Sequence, residues 1–335
     1  MTAPVPAPGD AHAPRGALER AAPAGPRVVV VGEALVDIVH RATGAVDETP
    51  GGSPANTALA LGRLGRRPTL ITRLADDDRG RRVRQWLQAS DVEVVAAGAA
   101  RTATATAHLD ATGAASYEFD LDWDLGPEAS SLTDRVARTA DLVHVGSVAG
   151  VLAPGAAQVA ALVRAARANA VITYDPNIRP SLSADESRVR AQVETLVGLA
   201  DIVKASDDDL RWLYPGREVA DSARQWLTHG PLLVVVTFGS GGALGVTAGG
   251  EVFVPAVATD VADTVGAGDT FMGALIDGFL ERNTPGAPVR ARGSGIPLAD
   301  VEALLGRGAL AAAVTVSRPG ADPPRRDELL ALGAA

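Results

Sequence analysis

The chain contains no cysteine and a single lysine, and each scarcity excludes a class of chemistry. Without cysteine it has no disulfides, thiolate metal sites or cysteine nucleophiles, which favours a cytoplasmic location. The lone lysine, Lys204, is followed by Ala205, so the G-K-[ST] ending of a Walker loop is absent. The five histidines are scattered without ligand spacing, and a histidine metal centre is therefore not expected.

Positive charge is also in short supply. The 335 residues carry a formal net charge of −9, and an acidic surface repels nucleic-acid phosphates, so no nucleic-acid partner is expected. Two stretches without charged residues, 143–163 and 230–250, are long enough to span a bilayer. Both are interrupted by Gly or Pro, which predicts strands and turns rather than a membrane span.

The ends of the chain differ in composition from its middle. Residues 1–26 are rich in Ala, Pro and Gly and lack an apolar h-region, which indicates a disordered tail rather than a signal peptide. The remaining length fits one large α/β domain with a small appendage. We place this domain at 27–325 and a short C-terminal tail at 326–335.

Short apolar runs recur along the chain, beginning with the four valines 28–31. Such runs are too short for helices and apolar on both faces, which is typical of buried parallel strands. Helical patterns such as 155–169 and 186–199 separate them. This alternation predicts a three-layer α/β/α sandwich with a mostly parallel central sheet, whose ligands bind beyond the carboxyl ends of the strands. The further runs are 69–72, 141–145, 170–174, 201–204 and 232–237.

Two segments interrupt that alternation. Residues 102–110 and 114–120 alternate polar and apolar side chains on either side of a Gly-containing turn, which predicts a β-hairpin. Residues 36–50 are strand-like and lack helical periodicity. Together these segments, at about 36–50 and 101–122, predict a small β-sheet lid over the site.

The strongest chemical signal is the segment 263–276, DTVGAGDTFMGALI. Gly266, Ala267 and Gly268 leave room for a ligand, and an apolar helix begins directly after them. A glycine loop that opens a helix presents free N–H groups and binds anions. Asp269 in that first turn could orient an attacking hydroxyl group beside a bound phosphoryl group. The alternative is simple stabilisation of the helix dipole, worth about 0.3–1 kcal/mol.

A second signal is the segment 49–65, TPGGSPANTALALGRLG. Ser53 suits a helix N-cap and Pro54 the first helical position. Gly51 and Gly52 expose backbone, and Asn56 offers both a donor and an acceptor in the first turn, an inventory that suits a polyol. The alternative is a glycine-rich loop before a capped helix with no ligand.

These two segments resemble the two signature motifs of the PfkB (ribokinase-like) carbohydrate kinase family, in the same order. The resemblance extends from about Arg27 to Pro324. Within the family, the wording GEALVD at 32–37 followed by GGSPAN at 51–56 is most similar to bacterial fructokinases. The resemblance implies an α/β/α sandwich with a small β lid, in agreement with the pattern above.

The resemblance also implies roles for the matching residues. Asp269 would be the catalytic base, and the anion hole would consist of Gly266, Ala267 and Gly268. Arg179, in DPNIR at 175–179, would reach the substrate and the phosphate; without the resemblance it would be interpreted as a surface ion-pair residue. The sugar hydroxyls would be bound by Asp37, Gly51, Gly52 and Asn56.

The segment 204–210, KASDDDL, resembles the region of the family's N-x-x-E metal element. Ser206 and Asp209 replace Asn and Glu, and since Asp is one methylene shorter, we expect Asp209 to reach Mg²⁺ through water. The alternative is an acidic helix N-terminus without a metal. Lys204 and Ser206 are expected near the nucleotide phosphates.

The segment 237–242, TFGSGG, resembles the family's nucleotide-contact loop. Thr237 and Gly239 would lie beside the ribose and phosphates, and Gly242 would allow close approach. The alternative is a hairpin turn into 243–247. Asp263, together with the segment 311–320, is expected to bind a monovalent cation such as K⁺.

The resemblance therefore implies ATP- and Mg²⁺-dependent phosphorylation of a sugar hydroxyl. The residues of its motifs, which are most similar to those of bacterial fructokinases, favour fructose as the sugar. Ribose, 2-keto-3-deoxygluconate or a nucleoside would use the same machinery, although the lid strands contain no Arg or Lys, which favours a neutral sugar. A non-catalytic sugar-binding regulator on the same fold is the hypothesis from a different class. Lids in this family often pair between subunits, which suggests a homodimer.

Overall fold

A computed structural model describes residues 25–41, 44–109, 115–182, 185–283 and 295–333. The predicted N-terminal tail lies outside these ranges except for its last two residues. Within the described part of the chain, no helix has both the length and the apolar character needed to cross a membrane.

The chain alternates strands and helices, as the apolar runs predict. The strands are β1 (Val28–Val31), β2 (Leu35–His40), β3 (Val46–Gly51), β4 (Thr69–Leu74), β5 (Glu93–Gly98), β6 (Thr104–Leu109), β7 (Ala115–Asp120), β8 (Leu142–Gly146), β9 (Val171–Asp175), β10 (Ile202–Ser206), β11 (Leu233–Thr237), β12 (Ala243–Thr247) and β13 (Gly250–Val254). The α-helices are α1 (Ser53–Arg63), α2 (Asp78–Gln88), α3 (Ala129–Thr139), α4 (Gly155–Ala166), α5 (Glu186–Leu199), α6 (Asp207–Leu213), α7 (Val219–Leu227), α8 (Ala267–Arg282), α9 (Leu298–Val316) and α10 (Arg326–Ala331).

Nine strands form the central sheet in the order β13-β12-β11-β10-β9-β8-β1-β4-β5. The seven strands from β11 to β5 are parallel, and β12 and β13 add an antiparallel edge. Strand β1 lies between β4 and β8. The next strands of the sheet, β4 and β5, are added on one side of β1, and the later strands from β8 onward are added on the other side. Ligands of open α/β sheets bind at the carboxyl ends beside such a reversal of strand order.

The four valines of β1 show why the sheet is buried on both faces. Val28 and Val30 belong to the core under α1, α8 and α9, whereas Val29 and Val31 belong to the core on the opposite face under α4 and α5. Alternate side chains of a strand point to opposite faces, so an uninterrupted apolar run fits only a sheet covered on both sides. The predicted three-layer α/β/α sandwich is thereby confirmed.

The predicted hairpin and the strand-like segment before it form a separate four-stranded sheet, in the order β3-β2-β6-β7. Strands β6 and β7 are antiparallel, as are β2 and β3, while β2 and β6 are parallel. The predicted tip of the hairpin, 110–114, lies outside the described residues. The small sheet, called the lid below, begins three residues after β1 and so stands at the carboxyl edge of the central sheet.

The C-terminal residues differ from the tail that the sequence pattern suggests, because they form α10 and pack against the domain. Leu329 is buried beside Leu64, and Arg326 donates from Nε to the Leu64 carbonyl at 2.7 Å. The packed domain therefore continues at least through α10.

Arg326 also joins a buried ionic cluster around Asp277 in α8, which is fully buried. Its carboxylate pairs with Arg66 at 2.5 Å, with Arg326 at 2.7 Å and with Arg307. Glu281 contacts the same three arginines. The cluster joins α8, α9, α10 and the end of α1 through five charged side chains.

Candidate active site

Helices α1 and α8 begin side by side at the carboxyl edge of the central sheet. They pack closely because Gly273 has no side chain: a Cβ there would lie 2.8 Å from the Cβ of Ala60, closer than two such atoms approach. This close packing brings together the first turns of the two helices, which carry the two sequence motifs.

Asp269 lies at the meeting point of these first turns. Its Oδ1 accepts a hydrogen bond from Ser53 Oγ at 2.7 Å, and its Oδ2 accepts one from Asn56 Nδ2 at 2.8 Å. Burial raises the pKa of Asp269, while the two hydrogen bonds and the nearby Lys204 and Arg179 oppose that increase. The carboxylate is thus oriented by neutral donors and has no direct cationic partner among the described residues, which suits a base.

The predicted helix-capping role of Ser53 is wrong. The N-cap of α1 is Gly52, whose φ of 101° lies in the region that favours glycine, and no side chain caps the helix. Ser53 is the first helical residue, and its hydroxyl is used by Asp269 instead.

The loop before α8 forms an uncapped helix N-terminus. Gly266 is the N-cap in a left-handed conformation with φ of 75°, and no side chain accepts from the first-turn amides. The Ala267 amide makes only a long bond, 3.3 Å, to the Thr264 carbonyl. The dipole of the 16-residue helix and its first amides therefore provide a suitable setting for an anion.

Lys204 lies under this loop in a buried ion pair. Its Nζ is 2.8 Å from Asp175 Oδ2, and a Cβ at Gly268 would lie 3.5 Å from the same Nζ. Although burial opposes the charge, Asp175, Asp209 and Asp269 hold the pKa of Lys204 above its ordinary value. The only lysine is thus a fixed positive charge beside the predicted phosphoryl position.

The predicted sugar-binding residues lie on the lid side of Asp269. Asp37 projects from β2, and Gly51 ends the neighbouring β3 so close to it that a Cβ at Gly51 would overlap Asp37 Oδ2. A Cβ at Gly52 would lie 2.7 Å from the carbonyl of Glu33. Burial raises the pKa of Asp37 to about 6, with Arg179 opposing and Asp269 adding to the shift.

Glu33, which the sequence reasoning does not single out, is a third carboxylate at this edge. It follows β1 directly and is 6% exposed. Burial raises its pKa to about 8, although a hydrogen bond with the Ser147 side chain and the charge of Arg179 both lower it. Its Oε2 is buried without a hydrogen-bond partner in the described structure.

Arg179 lies in the loop after β9 and is exposed. Its Nη1 donates to the Asn177 side-chain oxygen at 2.7 Å and to the Asn177 and Ile178 carbonyls. Its charge acts on Glu33, Asp37 and Asp269, although none of the three forms an ion pair with it.

The predicted metal residue Asp209 is already hydrogen-bonded on both oxygens. Oδ2 accepts from Ser206 N at 2.9 Å and from Ser206 Oγ at 2.7 Å, and Oδ1 accepts from Ile178 N at 2.7 Å. Ser206 in turn caps α6 by accepting from Asp209 N. In the described residues no group of three or more acidic or histidine side chains could hold a metal. The Asp209 carboxylate thus makes three hydrogen bonds within the protein.

The predicted nucleotide loop follows β11 and turns into β12, as the hairpin alternative requires. Gly239 and Gly242 have φ of 55° and 109°. A Cβ at Gly242 would lie 2.9 Å from Pro255 Cα, so its close approach is to protein backbone. Thr237 lies at the end of β11 and contacts the Ala205 carbonyl at 3.5 Å.

Asp263 connects the loop before α8 to the segment after α9, the two regions predicted to form a cation site. Its Oδ1 accepts from Val265 N at 3.0 Å and its Oδ2 accepts from Gly320 N at 2.9 Å. The two predicted segments are therefore adjacent.

Two residues of the site, Glu33 and Asp175, are absent from the predicted set. A third, Ser53, is predicted only as a helix cap and not as a hydrogen-bond donor to Asp269. Glu33 and Asp175 both stand at the carboxyl end of a buried parallel strand, where ligand-binding side chains of such sheets concentrate. That position is a signal which could have identified both of them from the sequence.

Comparison with known proteins gives the class of this chain. The profile described as "pfkB family carbohydrate kinase" matches residues 26–328. The fructokinase of Rhizobium leguminosarum bv. trifolii is 36% identical over 258 residues, which cover 73% of this chain and 77% of that protein. The structure of the fructokinase of Xylella fastidiosa with bound ATP has a TM-score of 0.79 and 25% identity, and the match covers 91% of this chain and 97% of that one.

A further solved structure is a double mutant of the fructokinase of Vibrio cholerae O395, with fructose, ADP and potassium ion bound. It has a TM-score of 0.75 and 25% identity, with 91% of this chain and 97% of that chain covered. Fold, site and sequence thus define a kinase that transfers the γ-phosphoryl group of ATP to a carbohydrate hydroxyl. The chain belongs to the pfkB family of carbohydrate kinases.

Proposed function

We propose that this kinase phosphorylates fructose, with Asp269 as the base that activates the sugar hydroxyl. The observation that carries the proposal is the position of the Asp269 carboxylate within the first turn of α8, a helix whose N-terminus has no side-chain cap. Curated relatives named fructokinase support the choice of sugar.

In the proposed mechanism, the sugar binds between the lid and the carboxyl edge of the central sheet. Asp37, Asn56 and the exposed backbone of Gly51 and Gly52 orient its hydroxyl groups. Asp269 accepts the proton as the hydroxyl oxygen attacks the γ-phosphorus of ATP in line, and the bond between this phosphorus and the β,γ-bridging oxygen breaks, so that ADP leaves. The amides of 266–268 and the ammonium of Lys204 stabilise negative charge on the transferred group.

ATP binds with Mg²⁺, which neutralises phosphate charge when present, and Thr237, Gly239, Gly242 and Ser206 are the proposed nucleotide contacts. Because both oxygens of Asp209 are engaged by protein donors, we assign it no direct bond to the metal. Asp263 is proposed to hold a monovalent cation with the loop at Gly320. The potassium ion in the Vibrio structure supports this assignment.

The charges around the site support a neutral acceptor over a sugar acid. Asp37 and Asp269 are acidic groups on the sugar side of the site, and the charge of Arg179 acts on both of them. A carboxylate accepts hydrogen bonds from hydroxyl groups and repels another anion. The Oδ1 of Asn56, buried without a partner in the described structure, is a further acceptor for a hydroxyl.

The test is a coupled ADP-release assay with fructose, ribose, 2-keto-3-deoxygluconate and a nucleoside. We expect the highest kcat/KM with fructose. A higher value with another acceptor would reassign the substrate while leaving the kinase class unchanged. Sugar binding without ADP release from any acceptor would instead support the non-catalytic regulator.

Replacing Gly51 with Ala tests the sugar side of the site separately. The new methyl group would displace the Asp37 carboxylate, so we expect the sugar KM to rise at least about 10-fold, the loss of one substrate hydrogen bond to a charged group. The KM for ATP should not change. Gly98→Ala is the matched control, since a Cβ there meets no atom within 4 Å. An unchanged sugar KM in Gly51→Ala would remove Asp37 from the sugar site.

We further propose that the chain forms a homodimer through its lid and acts in the cytoplasm, where its substrate ATP is found. In the described part of the chain, β3 and β7 are the outer strands of the lid sheet, and outer strands are templates for pairing with a second copy. Light scattering of the purified protein gives the mass directly. A monomeric mass at assay concentration would rule out the dimer.

A further inference from the structure

The Asp209 carboxylate connects two neighbouring segments, the start of α6 and the loop after β9. One oxygen closes the capping box with Ser206 at the start of α6, and the other accepts from Ile178 N in the loop after β9. Asp209 is 7% exposed. Nearby, Lys204 in β10 forms an ion pair with Asp175 in β9, which connects the two strands that precede α6 and the loop. The carboxylate is therefore a structural connection between the nucleotide side and the substrate side.

The loop that Asp209 holds has a constrained backbone. Asn177 has φ of 36°, in the left-handed region, which Asn adopts more readily than most non-glycine residues. Contacts around the residue help to maintain such a conformation. Here those contacts are the bond from Ile178 N to Asp209 and the bonds from Arg179 to Asn177.

The constrained loop ends at Arg179, whose position depends on it. All hydrogen bonds of the guanidinium in the described structure go to the loop's own atoms. Among the described residues, no hydrogen bond or ion pair to another element fixes this side chain, whose charge acts on Glu33, Asp37 and Asp269. A shift of the loop would move this charge relative to Asp269 and to the substrate, and small misplacements of such groups lower rates strongly.

We propose that Asp209 is a positioning residue for Arg179 and takes no part in binding Mg²⁺. The inference goes beyond the proposed function but rests on it, because Arg179 is taken to act on the sugar and the transferred phosphoryl group. Asp209, whose position resembles part of the family's metal element, would thus have a different role in this chain.

The test compares Asp209→Ala with the wild type in two titrations, one with sugar and one with free Mg²⁺ at constant MgATP. We expect kcat/KM for the sugar to fall at least about 10-fold, because Arg179 loses its support. The dependence on free Mg²⁺ should remain that of the wild type. A shifted Mg²⁺ dependence with unchanged sugar kinetics would overturn the proposal.

Two further variants separate positioning from loss of the helix cap. Ser206→Ala removes the capping hydroxyl but keeps the bond to Ile178 N, so it should affect the sugar KM less than Asp209→Ala does. In a double-mutant cycle, Arg179→Ala combined with Asp209→Ala should lose no more activity than Arg179→Ala alone. Losses that multiply would show that Asp209 acts independently of Arg179 and would overturn the proposal.

Asp209→Asn keeps the argument testable should the alanine variant fail to fold. Asparagine retains an acceptor for Ile178 N but lacks the negative charge with which a carboxylate attracts Mg²⁺. We expect nearly wild-type sugar KM and Mg²⁺ dependence in this variant, whereas a weakened Mg²⁺ response would contradict the positioning role. Wild-type ADP release with sugar is measured in parallel, so failure of the kinase assignment is recognised independently.

Discussion

Replacing Asp269 with Asn lowers kcat by at least about 100-fold while the protein remains folded. The change is nearly isosteric, and the side chain can still accept from one of its two donors, Ser53 or Asn56. It removes the charge that is proposed to accept the hydroxyl proton. The measurement is kcat at saturating sugar and ATP by coupled ADP release, with thermal melting to verify folding.

The control for Asp269 is Asp300→Asn, which removes a first-turn acid from another helix, α9. If Asp269 served only the helix dipole, the two variants would have similar small effects, since such contributions are about 0.3–1 kcal/mol. Wild-type turnover in Asp269→Asn would eliminate the base role.

The pH profile of the wild type gives a second readout of Asp269 and Asp37. In the proposed mechanism both carboxylates act in the ionised form, so activity is lost as the pH falls and they become protonated. Because burial raises the pKa of Asp269, and that of Asp37 to about 6, the acid limb should begin at a higher pH than for ordinary aspartates.

The largest expected effect on stability comes from Asp277→Ala. The variant leaves Arg66, Arg307 and Arg326 with Glu281 as their remaining carboxylate partner in the cluster. Breaking a buried ion pair from one side costs about 3–5 kcal/mol, because the remaining charge stays buried and uncompensated. The measurement is the free energy of unfolding from denaturant titration.

Asp221→Ala is the matched control for Asp277, because it also removes an aspartate paired with an arginine, but at the surface. Its carboxylate and Arg224 are about half exposed, and exposed pairs contribute about 0–1 kcal/mol. Equal losses in the two variants would mean that burial of the Asp277 cluster has no energetic consequence.

Much of the fold could be predicted because the physical signals are local. The apolar runs and the helical periodicity between them are visible in the sequence, and they give both the central sheet and its layers. The period-two pattern around 110–114 gives the lid hairpin. Loop glycines opening a helix likewise identify the surroundings of Asp269.

The remainder depends on contacts between distant segments, which periodicity does not contain. The sequence suggests that Ser53 is a helix cap, because a serine before a helix usually accepts from the amides of the next residues. Its hydroxyl instead donates a hydrogen bond to Asp269, 216 residues away. Asp209 likewise accepts from Ile178 N, in the loop after β9, a contact that no local pattern in the sequence indicates. The packing of α10 likewise depends on Leu64 and Asp277, far upstream.

The buried cluster around Asp277 also joins segments that are far apart in the sequence. Its members include Arg66, which follows α1, and Arg326, which begins α10. Without α10, the buried carboxylate in α8 lacks part of its counter-charge. Proteolytic removal of α10 should therefore leave a domain that unfolds and is degraded more readily than the intact one.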